Sequence, residues 1–156
     1  SALAEGRVDA IVTFDPVRSR LLAAGASVLF DSSRIPGEIV DVLLASPGTV
    51  ETRRRSVQAL VDTWFGALDE LRLRPDRSAR LLAPRQRVSP EAVRASLAGL
   101  ELPDRATNAR LLGRSGDSLE GPLRRLSGTM VRHRLLARPA AEGIVLDDRF
   151  VRAGGR

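Results

Sequence analysis

Residues suited to acid–base or metal chemistry are scarce in this sequence. It contains one histidine, His133, between Arg132 and Arg134, and it contains no cysteine. A catalytic triad or a metal site would need a histidine with partners, and the flanking arginines supply neither a base nor a ligand. We therefore expect a surface histidine, no thiolate chemistry and no disulfide.

Two other groups could carry chemistry, and each lacks part of the required pattern. The adjacent acids Asp147 and Asp148 could bind a cation, but a calcium loop needs further oxygen ligands at fixed spacing. The glycine-rich stretch at residues 113–121 is GRSGDSLEG; it follows no predicted strand and lacks the lysine of a phosphate-binding loop. The sequence predicts no catalytic residue, no metal and no cofactor, and a protein that is not an enzyme.

Arginine dominates the charge balance. All 25 basic residues are arginine and stand against 19 acidic residues, which gives a formal net charge of +6. The arginines are spread over the helical segments, and aromatic residues, which could stack on bases, make up only 3% of the chain. The run at positions 53–55 opens a helix, where it opposes the helix dipole, so we interpret it as a solvated surface. We expect no nucleic-acid partner.

The first third of the chain predicts alternating strands and helices. Residues 8–14 contain five nearly continuous apolar residues, as in a buried strand, and Asp15 followed by Pro16 is a typical helix start. A short helix over residues 16–24 and apolar strands over residues 28–30 and 39–45 follow. Such short spacing favours a right-handed parallel unit. The expected fold class is α/β, with a few-stranded, mostly parallel sheet in the N-terminal third and helices in the C-terminal two-thirds.

Helical patterns follow Pro47. Apolar residues recur at helical spacing over residues 57–71 and include Trp64, which we expect in the core. Ser89, Pro90 and Glu91 form a typical helix start, because serine caps the first amide groups and proline suits the first turn. Further helices are expected over residues 75–82, over residues 105–112 and from near Ser118 through Leu135.

The candidate ligand site lies at the ends of the first two predicted strands. In parallel α/β sheets, ligands bind beyond the carboxyl ends of strands and near helix N-termini. The residues at these ends are Thr13, Phe14, Asp15, Ser32 and Ser33. Asp15 is the best single candidate, and its charge favours a ligand with an amine or another donor over a bare anion. The competing interpretation makes all of them cap and turn residues.

One strand motif and the order of the helices carry a resemblance to a known family. The most specific residues form a G-x-V-D-A strand that runs into an acid–proline pair; they are Gly6, Val8, Asp9, Ala10, Asp15 and Pro16. The helical stretches RRRSVQALVDTWFGALDEL and SPEAVRASLAGL and the closing LDDRFV follow in order. Over essentially its whole length, the chain resembles the C-terminal half of ABC-transporter substrate-binding proteins of the nitrate, sulfonate, taurine and thiamine-precursor group.

The resemblance implies a two-lobe periplasmic-binding-protein fold. In it, residues 1–36 would belong to the second lobe, and residues 37–156 would form a returning hinge strand and helices of the first lobe. The implied activity is capture of a small polar solute, such as a sulfonate, taurine, nitrate or a thiamine precursor, for an ABC permease. The implied location is periplasmic or extracytoplasmic, although the chain shows no signal-peptide pattern.

The chain is about half the length that the resemblance implies, so the expected sheet is incomplete. Because parallel strands buried on both faces need neighbours, we expect a missing N-terminal half, or a second copy by dimerisation or swapping, to complete it. Two other functions stay open: a stand-alone α/β interaction or sensor module, and an arginine-rich nucleic-acid binder, which ranks last. The transport interpretation depends on residues 8–14 being an interior strand that ends at a crevice.

Overall fold

The structure is a computed structural model that describes residues 2–114, 116–140 and 145–152. By their contacts these residues form two compact units. The first unit contains residues 2–31 and 67–102, and the second contains residues 32–66 and the described residues from 103 onward. The helices are α1 (Val17–Ala23), α2 (Pro47–Thr52), α3 (Arg54–Leu73), α4 (Pro75–Gln86), α5 (Pro90–Ala98), α6 (Arg105–Leu112), α7 (Glu120–Arg132) and α8 (Arg149–Arg152), with a 3-10 turn at Ser32–Arg34.

The predicted α/β sheet is wrong, because the described part of the chain contains no strand and its regular structure is helical. Residues 8–14, 28–30 and 39–45 are irregular, and their apolar side chains are exposed: Val12 at 105%, Phe14 at 81% and Leu44 at 75%. A strand receives its backbone hydrogen bonds from a neighbour, and these short segments do not pair with one another. An apolar run shows that a segment suits a sheet, but pairing and burial decide whether one forms.

Helix α1 follows the first exposed segment and ends at a glycine. The helix predicted over residues 16–24 is observed as Val17–Ala23, and none of its residues is buried. Gly25 has a φ of +93°, and the N–H of Ala26 donates to the carbonyl of Leu21 at 3.0 Å. This is the left-handed ending that glycine allows. Because α1 buries no side chain, local hydrogen bonds are its main stabilisation.

Helix α3 confirms the predicted amphipathic helix but not the position of Trp64. The helix is 20 residues long. Its buried side chains are Val61, Phe65 and Leu68. Trp64, which we expected in the core, is 56% exposed. The apolar stripe is wider than the surface that packing covers, and Trp64 lies with Leu60 on the uncovered edge.

Helices α4 and α5 pack together and form the core of the first unit. Val93 on α5 is fully buried and clusters with Ala79 and Ala83 of α4. Ser89 caps α5 as predicted, because its Oγ accepts the N–H of Ala92 at 3.2 Å. Small residues on α4 therefore let the branched side chain of Val93 fill the space between the two helices.

The second unit contains α6, α7 and α8. Helix α6 has the predicted bounds, and Asp104 caps it by accepting the N–H of Thr107 at 2.8 Å. Helix α7 ends at Arg132, so its predicted extension through Leu135 is wrong; Arg134 instead takes a left-handed φ of 58°. The short helix α8 contributes the buried side chains of Phe150 and Val151.

Gly113 allows α6 to end close to α8, two helices that are in contact. A Cβ atom at Gly113 would lie 2.7 Å from the carbonyl oxygen of Ala109 and 3.4 Å from Oδ2 of Asp148. The first distance is shorter than a Cβ atom tolerates, so only glycine fits this position without a shift of the backbone.

Candidate functional site

The predicted ligand residues Thr13, Phe14 and Asp15 lie in the first unit, where the exposed segment meets α1. The ring of Phe14 is mostly exposed, whereas Thr13 and Asp15 are half-buried. The carbonyl of Phe14 accepts the N–H groups of Val17 and Arg18, each at 3.1 Å. These three residues form one local turn that leads into the helix.

The carboxylate of Asp15 is held by one residue of α1. Its Oδ1 accepts the N–H of Ser19 at 3.1 Å and the Oγ–H of Ser19 at 2.5 Å. The helix begins one residue later than predicted, with Pro16 as its N-cap, so Asp15 lies just before the cap. Its side chain still accepts the N–H of the third helical residue, which is a cap-like contact. Both bonds use Oδ1, and among the described residues Oδ2 has no hydrogen-bond partner. One oxygen therefore fixes the side chain while the other stays available.

The other predicted pair, Ser32 and Ser33, begins the 3-10 turn in the second unit. The carbonyl of Ser32 accepts the N–H of Ile35 at 3.0 Å and closes the turn. Both serine residues are exposed. The turn role that the sequence allowed is observed, and a role in ligand binding stays a prediction.

A polar cluster that the sequence analysis missed surrounds Arg105 at the start of α6. Its Nη2 donates to Oδ1 of Asp62 at 2.5 Å, and its guanidinium carbon lies 4.4 Å from the centroid of the Phe65 ring. Gln58 donates to Oδ1 of Asp62 at 3.1 Å and to the carbonyl of Phe150 at 2.9 Å. Of these contacts, the sequence could indicate only the one between Gln58 and Asp62, because residues four apart on a helix are neighbours.

The electrostatics of this cluster favour a packing role. Hydrogen bonds from Arg105 and from Gln58 hold the pKa of the Asp62 carboxyl below its usual value of 3.8. Asp62 is therefore ionised near neutral pH and neutralises the guanidinium that lies over Phe65. Nη1 of Arg105 is buried and has no hydrogen-bond partner among the described residues. The cluster joins α3 to α6.

A surface depression of about 540 Å³ lies at the start of α7. Its lining is polar and includes Glu120, Arg124 and Arg125. Arg124 pairs with Glu120 at 2.8 Å, and Arg125 pairs with Glu38 at 2.7 Å. Its two acidic side chains, Asp117 and Glu120, balance its two arginines, so the depression has little net charge with which to select an ionic ligand.

The residues first considered for catalysis have structural roles. His133 is exposed at the C-terminal end of α7, as predicted. Both oxygens of Asp147 accept from the side chain of Arg149, and Oδ2 of Asp148 accepts from Arg152 at 2.6 Å. The hydrogen bond from Arg149 holds the pKa of Asp147 below its usual value of 3.8. Among the described residues, no group of three or more acids or histidines could hold a metal.

Comparisons with protein-family models, with curated proteins and with solved structures found no match to this chain. Within the described residues, no helix is both long and apolar enough to cross a membrane. The basis for a functional proposal is therefore the geometry around Asp15 together with the resemblance in sequence.

Proposed function

We propose that this chain captures a small polar solute as part of a solute-binding protein that serves an ABC importer in a periplasmic or extracytoplasmic compartment. The observation that carries the proposal is the carboxylate of Asp15, which Ser19 holds through Oδ1 while Oδ2 stays available. The resemblance supports it, because Asp15 and Pro16 end the motif that is most specific to that family.

The charge of Asp15 defines the class of solute. A carboxylate accepts hydrogen bonds and attracts cations. A solute with a protonated amine or an amino group, such as taurine or an aminopyrimidine, fits this group. A bare anion such as nitrate is repelled by Asp15, so we rank it last among the solutes that the resemblance implies.

In this proposal, residues outside this chain supply the second wall of the ligand site. The interior strand and crevice on which the transport interpretation depended are not observed, because residues 8–14 are irregular and their apolar side chains are exposed. The proposal therefore rests on Asp15 and on the resemblance in sequence. The large apolar side chains exposed along residues 8–14 need cover, because soluble proteins rarely leave such a stretch in water. A further part of the same protein would supply that cover while a solute is bound.

Isothermal titration calorimetry with taurine, an aminopyrimidine and nitrate tests the proposal. We expect one of the two amines to bind, and Asp15→Asn to weaken that binding by about 10- to 100-fold, because a charge-assisted hydrogen bond is lost. Asparagine keeps an oxygen for the bonds from Ser19, so α1 should persist. The matched control is Asp9→Asn, an exposed acid of the same segment, which should change the affinity less than about twofold. Binding of none of the three solutes, or equal effects of the two variants, would contradict the proposal.

A protein-interaction module is the second candidate, and the exposed apolar side chains of residues 8–14 and 39–45 favour it. It predicts association with a polypeptide and no heat with any of the three solutes. We expect no nucleic-acid binding; DNA affinity that falls steeply with added salt would instead favour the arginine-rich binder.

A further inference from the structure

Residues 7–15, which we call the edge segment, have unused backbone hydrogen-bonding groups. The N–H of Arg7 donates to the carbonyl of Ala2 at 2.8 Å, and the carbonyl of Phe14 accepts from α1. Between these two points the described structure contains no backbone hydrogen bond, and no residue of the edge segment has a positive φ. Such a segment can pair with a strand of another chain through its main chain.

The side chains of the edge segment alternate in character. The even positions are all apolar: Val8, Ala10, Val12 and Phe14. The odd positions are polar except for Ile11 at the centre. Because alternate residues of an extended chain point to opposite sides, the edge segment has one apolar face and one largely polar face when it extends to pair with a strand. Val12 and Phe14, on the apolar face, are strongly exposed.

The edge segment is complementary to itself when two copies run antiparallel about Ile11. In that register Arg7 lies opposite Asp15, Val8 opposite Phe14, Asp9 opposite Thr13, Ala10 opposite Val12, and Ile11 opposite its own equivalent. In this register apolar residues lie opposite apolar residues and polar residues lie opposite polar residues. The outermost pairs are oppositely charged. We propose that two copies of this chain associate through their edge segments in this antiparallel register.

Other registers lose this match. A shift by one residue sets the polar face of one copy beside the apolar face of the other. Centring the pair on Val12 sets Asp9 opposite Asp15, which are like charges. Centring it on Ala10 sets Asp9 opposite Ile11. Of the registers compared, only the one centred on Ile11 combines matching faces with oppositely charged pairs at both ends.

A second copy fits the edge segment because twofold symmetry forms the same ion pair at both ends. Each copy contributes one Arg7 and one Asp15, so two equivalent ion pairs close the ends of the pairing. The present partner of Arg7 is Glu5, in an exposed pair at 2.7 Å that is easily exchanged. The pairing uses Asp15, and so does the proposed solute capture. Pairing and solute capture therefore compete for the same carboxylate and exclude each other. The dimer does not depend on the proposed function.

Single cysteines test the register directly, because the chain has no cysteine of its own. On mild oxidation, Ile11→Cys should form a disulfide between copies, since residues directly opposite have Cβ atoms about 4.5–5.5 Å apart. Ala10→Cys and Val12→Cys should each crosslink to themselves about tenfold more slowly, because like residues then lie on a diagonal of about 7–8 Å. A mixture of these two variants should crosslink rapidly.

The control for random collision is Val40→Cys, at an exposed apolar position outside the edge segment. Crosslinking of Ile11→Cys no faster than that of Val40→Cys would overturn the proposal. Faster crosslinking of Ala10→Cys with itself than of Ile11→Cys would overturn it as well, because the copies would then pair in another register.

Sedimentation equilibrium between about 1 and 500 µM measures the association itself, over the range suited to a small interface. We expect a dimer that grows with concentration, and Arg7→Glu should raise its Kd at least about tenfold because two ion pairs become repulsive at once. Arg18→Glu, outside the edge segment, should leave the Kd within about twofold. A monomer throughout, or a dimer insensitive to Arg7→Glu, overturns the proposal. Solute calorimetry at about 5 µM, where monomer predominates for a small interface, tests the proposed function separately.

Discussion

Replacing Val93 with alanine should lower the free energy of unfolding by about 2 to 3 kcal/mol. Val93 is fully buried between α4 and α5, beside Ala79 and Ala83. Removing two methyl-sized groups costs about 1.6 kcal/mol of transfer free energy, at ~0.8 kcal/mol for each. The cavity that is left adds the remainder, because the two neighbouring alanines are too small to fill it.

The matched control is the same substitution at Val12, which is fully exposed in the same unit. Val12→Ala should change the free energy of unfolding by less than about 0.5 kcal/mol. Urea unfolding followed by circular dichroism at about 5 µM measures both variants where association is small. Equal losses at the two positions would refute the reasoning, since Val12 would then be buried in solution and residues 8–14 would have the environment of the predicted strand.

Three further substitutions test single contacts by urea unfolding. Ser89→Ala should cost about 1 kcal/mol, because it removes the acceptor for the N–H of Ala92; no loss would contradict the capping role. Asp147→Asn should flatten the acid dependence of stability. Because the pKa of Asp147 is lowered in the folded state, its contribution to stability is complete above about pH 4 and is lost as the pH falls through the folded-state pKa. If the free energy of unfolding of the variant fell as steeply below about pH 4 as that of the native chain, this prediction would be contradicted. Arg125→Ala should change stability by less than about 0.5 kcal/mol, since its pair with Glu38 is exposed, and a larger loss would contradict this.

The helices could be predicted because their signals are local. Ser89 followed by Pro90 contains both the cap and the first-turn residue of α5, and the helix begins there. Helix α6 has the predicted bounds for the same reason, because its cap Asp104 and its closing Gly113 lie directly beside it in the chain. Helix α4 runs past the predicted end at Leu82 to Gln86, and its last turns pack on α5, a contact that no local pattern contains.

The failures concern properties that depend on distant residues. Residues 8–14 have the composition of a strand, but a strand exists only when another segment supplies its hydrogen bonds. The alternation of polar and apolar residues from Arg7 to Asp15 indicates a segment with one apolar side, not a strand buried on both faces. The bond between Arg105 and Asp62 joins residues 43 apart in sequence, so no spacing rule could have found it. The exposure of Trp64 likewise depends on which part of a wide stripe its neighbours cover.

Gly113 limits how this chain can vary during evolution. A side chain there would displace the carbonyl of Ala109 and would bring its Cβ atom to 3.4 Å from Oδ2 of Asp148, which also holds Arg152. A shift of the last turn of α6 would loosen α8, which contacts it, and release Phe150 and Val151 into water. A single change at position 113 would thus make α8 a target for degradative proteases while leaving every residue of α8 unaltered.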